Sequence, residues 1–228
     1  MISDLLRGLD ILARPMPDQL DDTIRARARR SLLRRDPVLA AVIRREGACG
    51  LRASGDPYRA LLQSIVYQQL AGAAAAAIER RVRAPYRGRY PKPAVLLAAS
   101  DAELREAGLS RQKIAAMRAV ATAFADGTLD NRRLRRMADD EVLEAVTQVK
   151  GIGEWTAHML LMFSLGRPDV LPVGDYGVRK GAMQLYGLEA LPKRAELEVL
   201  AESWRPYRSV AAWYLWRVID TQTPGSPW

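Results

Sequence analysis

Between two apolar helical stretches the chain reads Val146-Thr147-Gln148-Val149-Lys150-Gly151-Ile152-Gly153-Glu154-Trp155-Thr156-Ala157. The two glycines permit positive φ and strip side chains from a turn whose backbone N–H groups then point outward at the start of the second helix. Amides exposed at the positive end of a helix dipole form an anion site, and Lys150 adds a point charge beside them. For a chain of net charge +9, a phosphodiester is a fitting anion. A plain corner between helices, with glycine as C-cap, is the alternative that this segment alone leaves open. A single carboxylate, Asp175, follows Leu171-Pro172-Val173-Gly174 and suits the N-cap of a helix beginning at Tyr176. His158 is the sole histidine; beside Met159 and Leu160 on an apolar helix face, it reads as a packed residue rather than a general base. Cys49 is the sole cysteine, which excludes an intrachain disulfide, a zinc site of several thiolates and a cysteine-ligated iron–sulfur cluster.

The elements that must hold these residues are helical almost throughout, with apolar residues recurring by threes and fours and no sustained strand-like alternation. Asp56-Pro57 reads as an N-cap with proline in the first turn of a helix carrying Leu61, Leu62, Ile65, Val66 and Leu70. Ser100-Asp101-Ala102-Glu103 has capping-box spacing and opens a short helix through Leu104 that Gly108 stops. Further helices are expected over 111–124, over 140–149 behind Ala138-Asp139-Asp140, and over 154–165, 175–186 and 208–220. The amino-terminal fifth, dense in Arg25, Arg27, Arg29, Arg30, Arg34 and Arg35, reads as outer helices whose charge is a solvated face. Residues 85–93 read as a loop, and Thr223 to Pro227 as an irregular end. Trp204, Trp213 and Trp216, at helical spacing, read as core.

A length of 228 residues, 49% apolar and 27% charged, fits one sizeable core or two small ones and excludes a disordered or collagen-like chain. Met1 to Ile11 carries Asp4, Arg7 and Asp10 and lacks the apolar run of a secretory signal, and no stretch approaches the roughly 18 consecutive apolar residues of a membrane span. The single cysteine fits a reducing cytoplasm, and no membrane partner is expected. Thirty-five basic against 26 acidic residues favour a polyanionic partner. Of the basic residues 30 are Arg, which a GC-rich genome alone would also produce.

The hairpin at 149–157 with the trailing Leu171-Pro172-Val173-Gly174-Asp175 resembles the corresponding segments of the helix-hairpin-helix DNA glycosylase superfamily. Ser64-Ile65-Val66-Tyr67-Gln68-Gln69-Leu70-Ala71-Gly72 and Arg205-Pro206-Tyr207-Arg208-Ser209, leading on to Trp216, are similar to two further motifs of its alkylation-repair branch, the 3-methyladenine DNA glycosylases of the AlkA and Mag type. The matches span about residues 56 to 220, in the family's order.

The resemblance implies an all-α fold of two helical subdomains flanking a cleft: residues 1–56 with 166–228, and residues 57–165 containing the hairpin at 147–157. It implies that Asp175, twenty positions after Trp155, is the catalytic carboxylate, stabilising the oxocarbenium character that develops on the sugar and orienting or deprotonating the attacking water. Relatives that also cleave the strand carry a lysine nucleophile where this chain has Trp155, so a monofunctional hydrolase is expected, without lyase activity. Trp155, with Tyr176 and Tyr207, would line a pocket for a flipped alkylated base of the 3-methyladenine or 7-methylguanine type, whose positive charge suits aromatic faces. Gln69, with Gln68 and Leu70 beside it, falls at the position of the side chain that fills the gap left in the stack; both glutamines could equally be ordinary polar residues at a helix end. Lys150, Gly151, Ile152, Gly153 and Thr156 would meet the DNA backbone. The carbonyls of Thr147, Val149 and Ile152 would hold a structural Na+ or K+, and catalysis would need no cofactor.

The implied partner is double-stranded DNA with damaged bases, acted on by a monomer in base excision repair in the bacterial nucleoid. The large amino-terminal β-rich domain of the inducible bacterial enzyme has no counterpart in the about 55 residues that precede the matched core. Two rival readings fit the same residues. One is a non-catalytic helix-hairpin-helix module for distorted duplex, which Asp175 argues against. The other is a glycosylase for oxidised or mismatched bases, which Trp155 and the missing cysteine cluster argue against.

Overall fold

In the computed structural model, residues 17–70 and 72–220 are described. The terminal segments Met1 to Ile11 and Thr223 to Pro227 and the residue Ala71 lie outside that set. Among the described residues there are thirteen α-helices, two short 3-10 turns and no strand, so the chain is all-α as expected. Its described residues divide into two compact units, one of Gly55–Leu160 and one of Asp18–Ser54 with the described residues from Leu161 onward. The second boundary falls after Leu160, ahead of the expected 165.

In the first unit, α3 (Pro57–Tyr67) starts at the Asp56 carboxylate, which accepts the Arg59 N–H, and buries Leu61, Leu62, Ile65 and Val66 completely. The alanine-rich α4 (Gly72–Arg83) was not anticipated. Residues 85–93 are also more ordered than the expected loop, since Pro85 lies in a 3-10 turn over Ala84–Tyr86 and Pro93 opens α5 (Pro93–Ala98). Both prolines occupy first-turn positions, where the missing N–H costs nothing. The capping box of Ser100 and Glu103 opens α6 (Asp101–Glu106). α7 (Arg111–Ala125), capped by Ser110, packs Ile114, Met117, Val120 and Ala121 against α3 and α5. α8 (Asn131–Arg136) and α9 (Asp139–Thr147) follow. The cap of α9 is Ala138, whose N–H donates to Glu141 at 2.8 Å, while both aspartates lie in the first turn, where their charge favours the helix dipole. The chain then makes the glycine turn into α10 (Glu154–Phe163), which stops two residues short of the expected Leu165.

The second unit contains α1 (Asp22–Arg35), α2 (Pro37–Glu46), α11 (Tyr176–Tyr186), α12 (Arg194–Ala201) and α13 (Arg208–Asp220). The first two helices are not merely outer cladding: Ala28, Leu32, Leu39, Ala40 and Ile43 are fully buried. Arg25 departs from the solvated-face expectation, being buried with its guanidinium on the carbonyls of Leu20 and Leu51 and on Asp22. Asp36 caps α2 and is itself buried, accepting from Leu39 N (2.9 Å), Tyr186 OH (2.6 Å) and Trp204 Nε1 (2.7 Å). Trp204 is therefore core, as expected, with its one polar atom satisfied. Cys49 is buried and its thiol is pushed up to about 11 by desolvation, which disfavours the thiolate. α11 and α13 approach closely because Gly181 has no side chain; a Cβ there would lie 2.9 Å from the carbonyl carbon of Leu215. No helix is long and apolar enough to cross a membrane among the described residues.

Candidate functional site

The hairpin turn lies in the first unit. Val149 N donates to Val146 O at 3.1 Å and Ile152 N to Val149 O at 3.0 Å, which closes the turn between α9 and α10. Gly151 is required twice over. Its φ is +88°, and a Cβ would lie 2.5 Å from the Cβ of Ala116 on α7. Lys150, Gly151 and Gly153 are exposed, whereas the side chains of Val149, Ile152 and Thr156 are buried. Ile152 and Thr156 therefore anchor the turn with their side chains. Trp155, on the first turn of α10, is half-buried, as is His158.

The segment matched to the gap-filling position packs on this hairpin. Gln68 is the C-cap of α3, and its Nε2 donates to Gly151 O (3.2 Å) and to Thr156 Oγ1 (3.0 Å). Gln69 follows with φ +55°, in a backbone region that residues other than glycine seldom enter, and it is exposed with Leu70. Residues just before are pinned as well. Lys113 Nζ donates to Val66 O at 2.6 Å, and Tyr67 OH donates to the buried Glu79 at 3.1 Å. Burial lowers the Lys113 ammonium from its ordinary value and, with the Glu79 carboxylate beside it, pushes the Tyr67 phenol up to about 12.

Asp175 lies in the second unit, 9% exposed, as the N-cap of α11. Its Oδ1 accepts from Val178 N at 2.7 Å and from the indole N–H of Trp216 at 2.9 Å. Trp216 is buried on α13, and its ring lies 5.6 Å from that of Phe163 in a stacked arrangement. Gly177 makes room for it: a Cβ there would lie 2.8 Å from Trp216 Cδ1 and 3.1 Å from Asp175 Oδ1. Capping and side-chain fixation thus act on the same carboxylate oxygen. Trp216 is the partner of the Asp175 carboxylate that a reading as plain core misses. The signal in the sequence is Gly177, a glycine in the first turn of a helix, costly there unless something must approach its backbone.

The other two aromatic candidates differ from each other. Tyr176 is 62% exposed with Lys180 Nζ 5.9 Å from its ring centroid. Tyr207 is half-buried, and its carbonyl accepts from Val210 and Ala211 at the start of α13.

Residues 62–206 match the HhH-GPD superfamily of base excision DNA repair proteins. The chain belongs to that superfamily. It is 35% identical over 164 residues to DNA-3-methyladenine glycosylase 1 of Schizosaccharomyces pombe, covering 71% of this chain and 72% of the relative. The solved structure of S. pombe 3-methyladenine DNA glycosylase Mag1 in complex with abasic DNA superimposes with a TM-score of 0.80 at 30% identity, over 89% of this chain and all of that one. A DNA-3-methyladenine glycosidase from Bacillus halodurans superimposes with a TM-score of 0.72 at 40% identity, over 84% and 88%. The resemblance to the 3-methyladenine branch therefore holds along most of the chain.

Proposed function

We propose that this chain is a monofunctional DNA glycosylase that extrudes alkylated bases of the 3-methyladenine and 7-methylguanine type from duplex DNA and hydrolyses their N-glycosidic bond. The observation that carries the reading is Asp175, a nearly buried carboxylate whose Oδ1 is fixed by the Val178 amide and the Trp216 indole. In the reaction the bond between C1′ and the base nitrogen breaks, and its electron pair leaves with the base, neutralising the base's positive charge. The sugar acquires oxocarbenium character, which the fixed anion of Asp175 stabilises without reorganising. Water adds to C1′ and gives up its proton, for which Asp175 is the acceptor. Because the leaving base is already cationic, no general acid is needed.

The hairpin grips the phosphate backbone through the amides at the start of α10 and through Lys150. Gln69, with Leu70, fills the gap left by the extruded base. The Trp155 indole offers the base a π-face for cation–π contact, and its place at the position of the lyase lysine leaves no amine to form a Schiff base. The carbonyls of Thr147, Val149 and Ile152 suit a Na+ or K+. Val149 O already accepts the Ile152 N–H, and its second lone pair remains suited to an ion. Such an ion would be structural. The protein would act as a monomer on DNA in the nucleoid.

The test is release of free base from duplex DNA carrying 7-methylguanine, 3-methyladenine, hypoxanthine or 1,N6-ethenoadenine. Release of the methylated purines, leaving an abasic site, is expected. Tight binding to all four duplexes with no release from any would leave only a DNA-binding module.

A further inference from the structure

We infer that Gln68 is a positioning residue that fastens the turn bearing Gln69 to the glycine hairpin, so that phosphate capture and base extrusion act as one rigid unit. Both of its amide hydrogens are committed to the protein. One goes to the carbonyl of Gly151 within the turn, and the other to the hydroxyl of Thr156, which is 1% exposed in the first turn of α10. With the Nε2 side engaged in this way, what Gln68 can still offer a base edge is its acceptor oxygen, and the donor side of the carboxamide serves the protein. Its own backbone is equally constrained, since its N–H caps α3 by donating to Ser64 O at 3.0 Å.

The geometry explains why a glutamine stands here. Gly151 O and Thr156 Oγ1 flank the turn on either side of Ile152, and one carboxamide nitrogen reaches both. Together with Lys113 on Val66 O and Tyr67 on Glu79, this pins three successive residues, 66 to 68, immediately ahead of exposed Gln69. Gln69 follows directly on these pinned residues in a left-handed conformation, at φ +55°, and Leu70 N donates back across it to Tyr67 O at 3.3 Å. A displacement of the hairpin on meeting phosphate is transmitted through the Gln68 amide to the residue that enters the stack.

The inference rests on the reading of Gln69 as the gap-filling residue, and the experiment separates the two. Full-length protein is bound to duplex DNA in which 2-aminopurine adjoins a tetrahydrofuran abasic site, so that insertion into the stack raises fluorescence independently of Asp175 and of any base pocket. Affinity for undamaged duplex is measured alongside by anisotropy. Gln68→Leu, which removes both donors at similar volume, is expected to lower the fluorescence change at saturation at least fivefold while weakening undamaged-duplex binding by a much smaller factor. Thr156→Val is expected to reproduce the loss, Thr156→Ser to retain most of the signal, and the Gln68→Leu/Thr156→Val pair to be no worse than either alone. If Gln68→Leu does not fold, the two Thr156 variants carry the test. A wild-type signal in Thr156→Val, or equal losses of signal and of undamaged-duplex affinity in Gln68→Leu, would overturn the positioning role and leave the wedge intact. A wild-type signal in Gln69→Ala would overturn both.

Discussion

Replacing Trp216 by Phe is the sharpest perturbation of the reacting centre that leaves its packing in place. The phenyl ring keeps the stacked contact with Phe163, 5.6 Å away, and stays within the volume that Gly177 leaves open. What disappears is the indole N–H, which donates to Asp175 Oδ1 at 2.9 Å. A hydrogen bond to a charged acceptor contributes about 1.5–3 kcal/mol. If that energy holds the carboxylate where the oxocarbenium charge develops, its loss slows the chemical step by about 10- to 100-fold, at about 1.4 kcal/mol per tenfold. Single-turnover release of 7-methylguanine at saturating enzyme isolates that step from binding and product release. Gly177→Ala reaches the same defect by a steric route, because the new Cβ would lie 2.8 Å from Trp216 Cδ1 and push the indole away. Both variants should bind abasic duplex close to the wild-type level. Base release by Trp216→Phe within about twofold of wild type would refute the positioning argument.

Gly151→Ala forces a left-handed backbone and a Cβ 2.5 Å from that of Ala116, so we predict a loss of about 1–3 kcal/mol in thermal unfolding and weaker duplex binding; an unchanged melting temperature counts against the tight-turn account. If Trp155 stands at the position of the lyase lysine, as the resemblance implies, incubation with a methylated duplex should yield strand breaks only after alkali, and borohydride should trap no protein–DNA adduct. The Tyr67 phenol is raised to about 12, so the folded state holds its proton more tightly than the unfolded chain. That stabilisation is fully present below the ordinary tyrosine value of about 10 and is lost as pH rises towards 12. Denaturant titrations of wild type and Tyr67→Phe should therefore converge over that window, and parallel curves contradict it.

Most helices could be read from caps and periodicity. Asp56-Pro57 and the Ser100/Glu103 box each satisfy specific amide groups, and each opens a helix where the pattern placed one. α4 escaped because a run of alanines carries no apolar stripe to detect. α5 escaped because Pro93 reads as a loop residue when seen without the turn that follows it. In the hairpin, Gly151 and its role were legible, whereas the inward direction of Thr156 and Gln68 was not. Both are polar residues whose partners, a carbonyl and each other, lie 83 to 88 positions apart in sequence. Asp175 was legible as a cap. The indole N–H that it also accepts comes from Trp216, 41 residues on, and depends on Gly177 and Gly181 admitting α13, a packing relation that helical spacing of tryptophans does not encode.

Whether the Asp175 carboxylate drives hydrolysis of the glycosidic bond is tested most directly by single-turnover release of 7-methylguanine and 3-methyladenine by wild type and Asp175→Asn. The amide keeps the size and one oxygen of the cap but removes the charge. The account predicts base release by wild type, a loss of at least about 100-fold in Asp175→Asn, of the order seen when a preorganised electrostatic group is removed, and undiminished binding of abasic duplex by the variant. Release by Asp175→Asn at the wild-type rate would contradict it.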